Sequence, residues 1–196
     1  LRQRILLSMT RITHWIDGQP WSGTAARTAP VHDPATGQVT GEVDLADGAV
    51  VDQAVASAQA AAADWRRASL TQRSRVLFAF RHLLATHAEE VAAAITAEHG
   101  KVLSDALGEV TRGLEVVEFA CGLGHLLKGG HSEGVSTGVD VHSVRQALGV
   151  VAVISPFNFP AMVPLWFVPV AIAAGNAVVL KPSEKDPSAS LVMARL

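Results

Sequence analysis

Residues 149–184 read GVVAVISPFNFPAMVPLWFVPVAIAAGNAVVLKPSE. Two short apolar runs, VVAVI at 150–154 and AVVLK at 177–181, flank a helix-like stretch, AMVPLWFVPVAIAAGN, over 161–176. Strand, helix and strand at this spacing predict a βαβ unit and a parallel sheet. Neither strand alternates apolar with polar residues, so both are expected to be covered on both faces. A further helix is predicted from DPSASLVMARL, with Asp186 as N-cap and Pro187 at the first helical position. In open α/β sheets, ligands bind beyond the carboxyl ends of the strands. The first strand end delivers Asn158, and the second delivers Lys181, Ser183 and Glu184.

Upstream, residues 129–147 are rich in glycine and then alternate, and VDVHSVRQ at 139–146 reads as a strand, one arm of a projecting hairpin. Residues 47–127 are helical in character. Asp47 and Ser69 stand as N-caps of the first two helices, and Gly100 follows the third. In the fourth, Leu107, Val110, Leu114 and Val117 share one face, with Arg112, Glu115 and Glu118 opposite. Residues 13–45 carry turn signals: Asp17-Gly18 inside THWIDGQPW marks a type I′ hairpin, and Gly37 a second turn. They predict an N-terminal β ribbon laid over a larger body. Residues 1–8 read as an upstream extension, with folding sequence starting near Met9.

Composition excludes several classes of function. The 196 residues are 49% hydrophobic and 17% charged, with a net charge of −2, which describes a globular chain and gives no footprint for nucleic acid or an anionic membrane. Pro164 and Pro169 interrupt the longest apolar stretch, which is too short for a bilayer span. The single cysteine, Cys121, rules out an internal disulfide and suits a reducing, cytoplasmic setting. The histidines lack metal-ligand spacing, so no metal is expected.

Taken one at a time, the candidate residues admit plain alternatives. Asn158 is either an Asx-type turn residue satisfied by nearby backbone or a side-chain donor aimed into a cleft. Lys181 and Glu184 are either a solvated charge pair or a bracket for a sugar, whose hydroxyls a carboxylate can accept. Arg112 belongs either to a surface ion-pair face or to a carboxylate-recognition site, which suits a guanidinium fork. Gly122-Leu123-Gly124 follows a helix and reads as a turn rather than a phosphate loop.

In combination, PFNFP at 156–160, AAGN at 173–176 and LKPSE at 180–184 resemble the NAD(P)-dependent aldehyde dehydrogenase superfamily, and the likeness runs from about Met9 to Leu196. Phe157, the PLWFVP stretch and RGLEVVEFACG resemble one branch of it, the CoA-acylating methylmalonate-semialdehyde dehydrogenases. The resemblance implies an α/β fold with an incomplete Rossmann-type sheet. Residues 9–128 and 148–196 then belong to the NAD-binding domain, and 129–147 to an oligomerisation hairpin. It implies oxidation of malonate or methylmalonate semialdehyde with NAD⁺ and CoA, loss of CO₂, and a place in valine and myo-inositol catabolism. It implies a homo-oligomer acting on a small aldehyde. Asn158 matches the family's oxyanion donor. Lys181 and Glu184 match the adenosine-ribose contacts, with Glu184 favouring NAD over NADP, and Ser183 between them is taken as cofactor-binding. Ile154, Ser155, Pro156 and Phe157 match the cofactor-cleft wall, and Arg112 matches a contact to the substrate carboxylate. Cys121 does not match the family's nucleophilic cysteine, which is expected beyond residue 196. The chain is therefore expected to be an N-terminal fragment, inactive alone. A relative that hydrolyses its thioester and a non-catalytic remnant stand as alternatives.

Overall fold

Asp17 and Gly18 take φ of 56° and 71°, the pair of positive values that a type I′ turn demands. In the computed structural model, which describes residues 10–196, this turn joins two short antiparallel strands, β2 (Trp15–Ile16) and β3 (Gln19–Pro20). The expected extension over 1–8 and the start at Met9 lie outside the described residues. The remaining N-terminal strands, β1 (Thr10–Ile12), β4 (Arg27–His32) and β5 (Val39–Leu45), form a sheet in the order β1-β5-β4. β1 runs parallel to β5 and β4 antiparallel to it. Between β4 and β5, Gly37 takes φ 73° and the Asp33 carboxylate accepts from the Ala35 N–H at 2.8 Å, an Asx turn. Ile12, Val31 and Val43 close a small core on this sheet.

Four helices follow: α1 (Gly48–Trp65), α2 (Leu70–Thr86), α3 (Ala88–His99) and α4 (Leu103–Cys121). Their ends are where the sequence puts them. Asp47 accepts from the Val50 N–H, Ser69 and Gln72 form a reciprocal capping box, and Gly100 closes α3 at φ 86°. Leu84, Val91, Ile95, Val110 and Val117 build the main core. A hairpin of β6 (His131–Ser136) and β7 (Val139–His142) stands exposed along its whole length. The strand expected over 139–146 stops at His142. Opposite Ser143 lie Gly129 and Gly130, where the backbones approach so closely that Gly129 has no room for a Cβ, and the ladder ends.

The βαβ unit is present. β8 (Val150–Ile154) and β9 (Ala177–Lys181) pair in parallel around α5 (Met162–Ala173). Helix α5 ends before the glycine at 175, which takes φ 94°. Asn176 then clips the unit shut. Its Oδ1 accepts from the Leu148 and Gly149 N–H groups at 2.7 and 3.0 Å, and its Nδ2 donates to the Ala171 carbonyl. One expectation fails here. The strands are not covered on both faces: Val153 is buried, while its neighbours Ala152 and Ile154 are exposed. Successive strand residues point to opposite faces, and α1 and α5, the helices packed on this sheet, leave the Ile154 face open among the described residues.

A second correction concerns the last helix, α6 (Ser188–Arg195). Asp186 does not cap it. Pro187 already has near-helical angles, and the capping acceptor comes from α3, where Glu98 takes the Ser188 N–H at 2.9 Å and the Ser188 hydroxyl at 2.5 Å. Asp186 turns inward instead, 2% exposed, with no hydrogen-bond partner of normal geometry for either carboxylate oxygen among the described residues. Among the described residues no helix is long and apolar enough to cross a membrane.

Candidate functional site at the carboxyl edge of β8 and β9

The register of the parallel pair sets the site. Ile154 lies opposite Lys181, and the Ser155 N–H donates to the Lys181 carbonyl at 3.1 Å. The loop carrying residues 155–161 and the loop carrying residues 182–187 therefore leave the same sheet edge side by side. The first presents an apolar wall: Ile154 is 77% exposed and Phe157 49%. The second reaches back to it, with the Lys185 ammonium 4.4 Å above the Phe157 ring.

Lys181 Nζ and Glu184 Oε2 stand 3.3 Å apart, both about half exposed. A hydrogen bond from its own backbone N–H, then the Lys181 ammonium, holds the Glu184 carboxyl below its ordinary range, so it presents an anionic acceptor. Ser183 is buried and accepts from the Lys185 N–H at 3.1 Å, which shapes the loop. Ser155 is buried too, and its hydroxyl has no partner among the described residues.

Asn158 projects from the first loop and is exposed. Its side chain bonds to no described residue, so the Asx-turn alternative has no hydrogen bond behind it. Its backbone carbonyl, however, accepts from Lys101 Nζ at 2.7 Å. Lys101 also lies 4.2 Å over the Phe159 ring and forms an ion pair with Glu109. Glu109 is 0% exposed, and its other oxygen accepts from the Ala161 and Met162 N–H groups at 2.9 and 3.1 Å. These amides open α5 and have no partner inside the helix, so a carboxylate there satisfies them and complements the helix dipole.

Sequence reasoning missed Lys101 and Glu109. A signal was there: Glu109 sits among Ala106, Val110, Gly113 and Val117 on the buried stripe of α4. An acid on an apolar stripe needs buried partners.

Arg112 is exposed on the outer side of the same helix. The ion-pair alternative is not seen for it among the described residues: Glu118 pairs instead with Arg81 of α2 at 2.5 Å. Arg112 has no ion pair among the described residues and is not in hydrogen-bond contact with the Asn158 loop. Its neighbour in sequence, Gly113, packs so tightly on Leu165 of α5 that no side chain fits there. Cys121 is buried, and burial followed by the nearby Glu118 pushes its thiol up, away from nucleophilic character.

Comparison with known proteins identifies the family of the chain. A family model described as "Aldehyde dehydrogenase family" matches residues 21–196. The malonate-semialdehyde dehydrogenase of Pseudomonas aeruginosa is 45% identical over 188 residues, 96% of this chain and 38% of that protein. The acylating, mitochondrial methylmalonate-semialdehyde dehydrogenase of Arabidopsis thaliana is 44% identical, over 95% of this chain and 31% of that protein. A Sinorhizobium meliloti 1021 protein solved in complex with NAD superposes with a TM-score of 0.93 at 45% identity, over 95% of this chain and 38% of its own. The chain thus spans under two fifths of the length of each relative.

Proposed function

Because this chain belongs to the aldehyde dehydrogenase family, we propose that it supplies the cofactor edge and the oxyanion donor of an NAD-dependent, CoA-acylating dehydrogenase. Its substrates are malonate and methylmalonate semialdehyde, converted to acetyl-CoA and propionyl-CoA with loss of CO₂. The setting is a cytoplasmic homo-oligomer in valine and myo-inositol breakdown, with the β6–β7 hairpin as an assembly element. The similarity to malonate- and methylmalonate-semialdehyde dehydrogenases supports the substrate class, and the acylating Arabidopsis thaliana relative supports CoA as acceptor. The observation that carries the reading is the juxtaposition of the Asn158 loop and the Lys181–Glu184 pair at one parallel-strand edge.

The residues present fit a dinucleotide. Ile154, Pro156 and Phe157 offer an exposed apolar wall, Glu184 an anionic acceptor for vicinal hydroxyls, and Lys181 a cation beside it. The Ser155 hydroxyl is a buried polar group still lacking a partner. A carboxylate in that position also disfavours an added 2′-phosphate by charge repulsion, which selects NAD over NADP. When bound, NAD supplies the hydride acceptor.

The chain's own contribution to the chemistry is electrostatic. When a thiolate adds to the aldehyde, the carbonyl oxygen gains negative charge. The Asn158 amide has two N–H donors with no competing partner among the described residues, so it can face that oxygen without first breaking a bond. The thiolate is not Cys121, which is buried with a raised thiol, and we assign it to a part of the enzyme outside residues 10–196. Arg112, exposed and without an ion pair among the described residues, is assigned to the substrate carboxylate.

The test is product analysis on the full-length protein with malonate semialdehyde and NAD, with and without CoA. NADH formation that requires CoA and yields acetyl-CoA is expected. Full-rate turnover to the free acid without CoA would assign the protein to the hydrolytic branch.

A further inference from the structure

The oxyanion donor has no side-chain anchor. Asn158 bonds through its backbone carbonyl alone, so the direction of its amide depends on how that stretch of backbone is held. A single ion pair from outside the βαβ unit grips the stretch at four points. Lys101, between α3 and α4, donates to the Asn158 carbonyl at 2.7 Å and sits 4.2 Å over the Phe159 ring. Glu109 of α4 accepts from the amides of Ala161 and Met162. The two are bonded to each other, so a shift of one drags the other.

The burial of this pair shows that its geometry is specified. Glu109 is fully buried and the Lys101 side chain is 15% exposed. A buried ion pair is weak evidence of stabilisation, because desolvation offsets the attraction. It does supply direction: the carboxylate is held by two amides, and the ammonium bonded to it points at the Asn158 carbonyl. The grip spans residues 158 to 162, which includes the donor and the first turn of α5.

We infer that Lys101 and Glu109 act as positioning residues for oxyanion stabilisation, holding the Asn158 backbone so that its amide faces the reacting oxygen. This rests on the reading of Asn158 as the oxyanion donor. A misplacement on the order of 1 Å in such a donor can cost about 10²-fold in rate.

The experiment is a mutant cycle on the full-length enzyme, reading single-turnover acylation, NAD affinity and thermal midpoint. The variants are Lys101→Met/Glu109→Gln, Asn158→Ala and their combination. The paired change removes both charges together, so neither ion is stranded, and the glutamine oxygen can still accept from Ala161 and Met162. Expected is a loss of about 10- to 100-fold in acylation, with NAD affinity within about twofold, and almost no further loss when the paired change is added to Asn158→Ala. Losses that multiply in the combination would show an independent, structural role and overturn the inference. If Asn158→Ala acylates at the normal rate, the oxyanion reading itself fails and takes the positioning role with it. If Asn158→Ala is slow but the paired change is not, only the positioning role fails. Should the paired variant not fold, Glu109→Gln alone is read in the same cycle. It keeps the amide contacts, weakens the Lys101 bond, and is expected to show a smaller loss with the same non-additivity.

Discussion

Replacing Asp186 by asparagine should make stability less dependent on pH, with the largest gain over wild type near and above neutrality. Asp186 is buried, neither carboxylate oxygen has a hydrogen-bond partner of normal geometry among the described residues, and Glu98 stands nearby. Burial first, and then the Glu98 charge, push its carboxyl from the ordinary 3.8 to about 7, with Ser183 and Lys101 offsetting only part of this. The folded state therefore binds a proton that the unfolded state has lost throughout the window from 3.8 to about 7. Stability must fall as pH rises through that window, by about 1.4 kcal/mol per pH unit at the steepest. The accumulated cost is on the order of 4 kcal/mol and is fully present above about pH 7. Asparagine cannot ionise. Denaturant unfolding of the full-length wild type and Asp186→Asn, run from pH 4.5 to 8, should show the variant gaining on wild type as pH rises and levelling off near neutrality. A difference that stays flat, or that shrinks with pH, would refute the buried-carboxyl account.

Three further outcomes follow from the site. Glu184→Gln removes the charge that repels a 2′-phosphate, so the ratio of NAD to NADP affinity should fall by about tenfold, the worth of roughly 1.4 kcal/mol; equilibrium binding of both cofactors checks this. Arg112→Ala should raise KM for carboxylated semialdehydes about tenfold or more while leaving an uncharged aldehyde of similar length unaffected. Equal losses on both would make Arg112 structural. Gly175→Ala places a side chain at φ 94° and against the Arg73 guanidinium, so it should lower stability by about 1–2 kcal/mol or more, read as a lower thermal midpoint.

The parts of this chain that could be read from sequence are those where local chemistry decides. Asp17-Gly18 needs only its own backbone preference to make a turn, and Ser69 needs only Gln72 to cap a helix. The βαβ unit was legible for a similar reason, since apolar runs and spacing are local properties. What was not legible depended on partners far along the chain. Asp186 stands where an N-cap belongs, yet Glu98, 90 residues from Ser188, took that role. Glu109 looks like an ordinary helix acid until Ala161 and Met162, more than 50 residues later, present their amides. The burial of β8 was overestimated because apolar character reports what a strand can bury, not which layers are packed on it. For the site, sequence located the two loops. Their register, and the ion pair that holds one of them, came only from the structure.

The central claim is that Asn158 stabilises the developing oxyanion, and the most direct measurement is the single-turnover NADH burst of Asn158→Ala in the full-length enzyme at saturating NAD. The account predicts a burst slowed by about 10²–10³-fold with NAD affinity within about twofold of wild type. A burst at the wild-type rate, or a slowed burst wholly explained by lost NAD binding, would contradict it.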